Sequence, residues 1–149
     1  LRQYQRGLEA AEHYVQMEQQ PYRKAEGMRD MSQLLVGLNR AAEARKLCED
    51  AIALGIDGPI KFSVFIALGD AYYVEGNYAE AAKYYGRTAN VVSDKELKPI
   101  ALYKIVSALK LSDKAGEAVQ YEENLRTEFP GWVPPANVLL LMNASNKNQ

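Results

Sequence analysis

Residues 65–89 (FIALGDAYYVEGNYAEAAKYYGRTA) leave this chain few ways to fold. Large side chains alternate with small ones at helical spacing: Phe65, Leu68, Gly69 and Tyr72 before Glu75-Gly76-Asn77, then Ala81 and Tyr85 after it. The pattern predicts two amphipathic helices joined by a short turn, because residues three and four apart share a helix face. Such a hairpin cannot bury both apolar faces alone, so similar neighbours are expected on either side.

Those neighbours are visible as recurring alanine-centred segments. EAAEHY at Glu9–Tyr14 echoes EAAKYY at Glu80–Tyr85, and Ala10, Ala44, Ala81 and Ala118 are 34, 37 and 37 residues apart. The chain is therefore read as one all-α domain: a half repeat at 1–21, repeats at about 22–58, 59–94 and 95–131, and a terminal helix at 134–144. Met28, Met31, Leu35 and Leu38 form the apolar stripe of the first full repeat's first helix, and Ala44, Leu47, Cys48 and Ala51 that of its second. Pro21 ends the first helix, and Pro59 suits the first turn of another after the break at Gly55-Ile56-Asp57-Gly58. Asn77 is placed to cap a helix, with Glu80 three residues on, and Ser93 with Glu96 repeats that signature ahead of Pro99. In the terminal helix the unbroken run VLLLM predicts that several faces are covered, and the polar residues 145–149 are expected to fray.

Phe65-x2-Leu68-Gly69-x2-Tyr72…Ala81-x3-Tyr85 resembles the tetratricopeptide repeat pattern, with Pro130 where the family's terminal proline falls. Ser32, Val106 and Glu122 depart from it. The resemblance implies a right-handed α–α superhelical solenoid whose concave face is lined by first-helix residues outside the packing set. Carried over position by position, these are Arg29, Gln33 and Val36, then Ser63, Ile66, Asp70 and Tyr73, then Tyr103, Ser107 and Lys110. Tyr72, Tyr78, Tyr84 and Tyr85 are expected to pack instead. The FPGW ending and the longer repeat interval resemble bacterial envelope-assembly members of the family. The chaperone-binding branch fits badly: Arg29 and Gln33 imitate part of its carboxylate clamp, but Asp70 stands where an amide is needed and Ile100 where a base is needed. A carboxylate facing a bound carboxylate is repelled, and Lys104 does not rescue the site.

Composition narrows the function. Net charge is −1 with no basic block, which argues against a nucleic-acid footprint. No apolar run is longer than that at 138–142, against the ~20 residues of a membrane span. His13 and Cys48 are the only residues of their kinds, too few for a structural zinc site, and Cys48 at a packing position reads as an inert thiol. The glycines lie at packing or turn positions without the strand context of a phosphate loop. The recurring Glu9, Glu43, Glu80 and Glu117 look like solvated or capping groups. The expectation is a non-enzyme with no cofactor and no metal, acting as an interaction scaffold that takes a peptide or helix of another protein into its groove. Two other readings stand beside it: self-association through the terminal helices into a homodimer, and a module regulating an enzyme encoded elsewhere. A chain that opens without Met, in mid-repeat, is expected to be a piece of a longer protein.

Overall fold

Proline, glycine and short polar side chains punctuate the chain where the sequence pattern changes phase. A computed structural model describes residues 1–144. Among them it has α1 (Arg2–Met17), α2 (Pro21–Gly37), α3 (Ala41–Ala53), α4 (Pro59–Val74), α5 (Tyr78–Ala89), α6 (Leu97–Leu111), α7 (Ala118–Glu128) and α8 (Ala136–Ala144), with a 3-10 turn at Ala115–Glu117 and no strand. The all-helical class is therefore observed. Pro21 and Pro59 open α2 and α4, where a missing N–H removes no intrahelical bond. Gly76, at φ 83°, reverses the chain between α4 and α5. Asn77 then caps α5, its side-chain oxygen accepting from the Glu80 N–H at 3.4 Å. At α6 the cap differs from expectation. Asp94, not Ser93, accepts from the N–H groups of Glu96 and Leu97, at 2.8 and 2.7 Å, because helical geometry begins only at Leu97.

Contacts gather into two compact units, 1–71 and from Tyr72 onward, divided within α4. In the first, α1 packs on α2 and α2 on α3. Leu8, Leu35, Ala44 and Ala71 are buried in one cluster, with Met31, Leu38 and Leu47 against it. Gly27 admits the Tyr14 ring so closely that a Cβ there would stand 2.7 Å from it. Tyr4, Leu8 and Tyr14 thus define the face α1 turns to α2, and Ala10 lies off that face and is exposed. The other three marker alanines are buried. Ser32 fits where glycine stands in the 65–89 hairpin because its hydroxyl donates back to the Arg29 carbonyl at 2.6 Å, so burial strands no polar atom. It also hydrogen-bonds Cys48, whose thiol burial pushes up to about 11.

In the second unit α5 packs on α6, and α7 and α8 each pack on α6. Tyr72 stacks on Tyr84 with ring centres 5.7 Å apart, Tyr73 meets Tyr78 edge-on at 5.1 Å, and Tyr85 is fully buried. Ala81 is closed off from solvent, so Ala81→Leu is expected to overpack its surroundings and cost about 1–3 kcal/mol. An unchanged denaturant midpoint would contradict the packing. α8 buries a single stripe, Val138 and Met142, while Leu140 remains 73% exposed. Leu139 and Leu141, on either side of that stripe, are half-buried, so of the run VLLLM Leu140 alone faces water. Residues 145–149, expected to fray, lie outside the described residues.

Candidate functional site

α6 presents Tyr103, Ser107 and Lys110 on one face, at i, i+4 and i+7. α7 presents Glu122, Leu125 and Arg126 on the face opposite them, and the chain continues into Phe129. Gly131, at φ 78°, then turns the chain back, the Trp132 N–H donating to the Phe129 carbonyl at 3.1 Å. The turn carries the indole to Tyr103, ring centres 5.8 Å apart at 53°. The result is an open hollow of about 400 Å³ with Val106 among its lining. Lys110 and Glu122 form an ion pair across it, and Arg126 pairs with Glu123 along α7. Two aromatic rings and Phe129 provide flat apolar contact, and the paired charges at the margin can orient a polar backbone. Aromatic anchors in partly desolvated pockets are where interface energy concentrates.

Of the ten residues the sequence nominates for a groove, three meet here: Tyr103, Ser107 and Lys110. Ser107 and Tyr103 are tied together, the Ser107 hydroxyl donating to the Tyr103 carbonyl at 3.0 Å. Arg29 and Ser63 meet in the first unit, guanidinium to hydroxyl at 3.2 Å, with Arg29 also paired to Asp30 at 2.9 Å and Gln33 exposed nearby on α2. Val36 is half-buried and packs on the core cluster of that unit. Ile66 and Asp70 are each 7% exposed, so both are buried where the repeat pattern places them on an open surface.

Tyr73 differs most. It is 1% exposed, and its hydroxyl donates to the Met142 carbonyl at 2.8 Å. Met142 lies in the last turn of α8, where carbonyls have no intrahelical amide to accept from. The phenol satisfies one of these orphans, so α8 fills the place at Tyr73 that a partner is expected to take. Burial pushes the Tyr73 phenol up to about 12.

The repeat pattern does not nominate Trp132, Phe129 or Leu125. A signal for them is present all the same: two aromatics flanking Pro130-Gly131 just past a helix end describe a turn that returns the second ring to the helix. His13 is exposed on α1. Among the described residues no three His, Cys, Asp or Glu side chains gather where they could hold a metal ion, and no helix is long and apolar enough to cross a membrane. No protein-family model, curated protein or solved structure matches the chain.

Proposed function

We propose that the chain is a non-catalytic protein-interaction module, built of tetratricopeptide-like hairpins repeated as a solenoid, and that its contact with an extended peptide centres on the hollow between α6, α7 and Trp132. The reading rests on one observation above the rest: Tyr103 and Trp132 stand side by side in an open hollow while the tyrosines of the hairpin core are packed away. Trp132 is the only tryptophan, so its emission reports directly on that hollow. A peptide selected from a random library against the protein is expected to shift that emission. Trp132→Ala or Tyr103→Ala should each weaken the same peptide by about 2 kcal/mol, roughly 30-fold in Kd, with helicity unchanged. Selected peptides that bind both variants as tightly as the parent would place the contact elsewhere.

Self-association is a second reading, favoured by Val133 and Leu140, which are 74% and 73% exposed on the terminal segment. Light scattering after size exclusion tests it. A monomer at high concentration would remove it, and a dimer dispersed by Leu140→Lys would support it.

A further inference from the structure

A second hollow of the same unit, of about 350 Å³, lies among α5, α6 and the start of α7, lined by none of the residues around Trp132. Its floor is apolar: Ala82 and Gly86 of α5, with Ile105 and Leu109 of α6. Gly86 keeps that floor low, since a Cβ there would stand 3.2 Å from Ile105 Cδ1. One end is closed by Asn90, whose side-chain amide donates to the Tyr121 hydroxyl at 3.4 Å.

The rim carries a cationic surplus. Lys83, Arg87 and Lys114 line it against a single carboxylate, Glu117. This surplus arises on a chain whose net charge is −1, so it is local to the hollow. Part of it is already engaged: Lys83 lies 3.9 Å from Glu80, and Arg87 sits 4.9 Å over the Tyr84 ring. Those contacts hold the cations at the margin with their side chains exposed, where approaching carboxylates can reach them. The volume falls within the roughly 300–1,000 Å³ of ordinary ligand pockets. Aliphatic side chains of Val or Leu size match the floor. Acidic side chains flanking them match the rim.

We infer that this hollow is a docking site for an acidic amphipathic segment of another protein, with aliphatic residues on the α5–α6 floor and carboxylates against Lys83, Arg87 and Lys114. The site is independent of the hollow at Trp132, so either assignment can fail while the other stands. The favoured occupant is a peptide and not a nucleic acid, because the floor is aliphatic and the lining holds a single aromatic ring, Tyr121 at one end, where successive bases need a row of such faces.

The probe is a labelled peptide of glutamate and leucine at i, i+3 and i+4 spacing, about 15 residues long so that a helix can form. Its lysine-for-glutamate counterpart is the control, and both are followed by fluorescence anisotropy at low and high salt. The acidic peptide is expected to bind, the basic one not, and added salt to weaken the complex. Lys83→Glu with Lys114→Glu should weaken it about tenfold or more, with the neutral Lys83→Gln, Lys114→Gln pair in between. Arg2→Glu with Lys95→Glu, at two positions that do not line the hollow, changes net charge equally and should leave binding as it was. Equal affinity for both peptides, no binding of either, or equal loss in the distant pair would each overturn the assignment. So would complete displacement by inorganic phosphate, which would make the hollow a small-anion site.

Discussion

Tyr85→Ala is expected to lower stability by about 3–5 kcal/mol, the range for removing a large aromatic from a core. Tyr85 is fully buried in α5, and its ring lies 5.9 Å from the ammonium of Lys104, itself only 5% exposed. Alanine therefore leaves a cavity and also takes away the aromatic face beneath a buried cation. A desolvated cation–π contact can contribute about 2 kcal/mol, and a buried charge that loses favourable surroundings costs more than the contact alone. Tyr85→Phe keeps ring and volume, so it should retain most of the stability. Urea unfolding followed by far-UV circular dichroism separates the two variants. An alanine variant within about 1 kcal/mol of the parent would mean that the cavity collapses and that Lys104 does not depend on the ring.

The hairpin 65–89 shows why helices are legible in this chain. Its large and small residues repeat with the helical period, and Gly76 and Asn77 supply the turn and cap that local chemistry demands. Pro59 marks a helix start for an equally local reason, whereas Pro21, expected to end the first helix, opens α2 after α1 has already stopped at Met17. The alanine repeat promises more than packing allows. Ala44, Ala81 and Ala118 are buried, but Ala10 is exposed, and α1 meets α2 through buried Leu8 and the half-exposed rings of Tyr4 and Tyr14. Glu122, which breaks the repeat pattern, finds Lys110 one helix away and so belongs to a surface pair.

The site is legible on α6 and illegible where it depends on chain return. Tyr103, Ser107 and Lys110 follow from helical phase alone. Trp132 reaches Tyr103 through a turn at positive φ, and Tyr73 is buried by a helix 69 residues later in sequence. Neither event has a periodic signature. An open Tyr73 is sound for an isolated hairpin and fails here because α8 folds back onto it.

Two buried acids, Cys48 and Tyr73, make the protein alkali-sensitive in a predictable direction. Burial holds the Cys48 thiol at about 11 against an ordinary 9.0, and the Tyr73 phenol at about 12 against 10.0. An acid whose folded pKa is raised keeps its proton in the native state at pH values where the unfolded chain has already released it. The unfolded state then binds fewer protons, so stability falls as pH rises. The contribution is whole below pH 9 for Cys48 and below pH 10 for Tyr73, and it is lost progressively towards 11 and 12. Each rise corresponds to about 3 kcal/mol when fully lost. Urea midpoints taken from neutral pH to pH 11 should therefore decline steeply in the upper part of the range. Cys48→Ala removes one titrating group and should flatten the decline that begins near 9. Tyr73→Phe should start about 1 kcal/mol lower, having lost the hydrogen bond to Met142, and then decline less above 10. The curves of the parent and the Tyr73→Phe variant should converge with rising pH, whereas parallel curves would mean that the phenol is not held protonated by the fold.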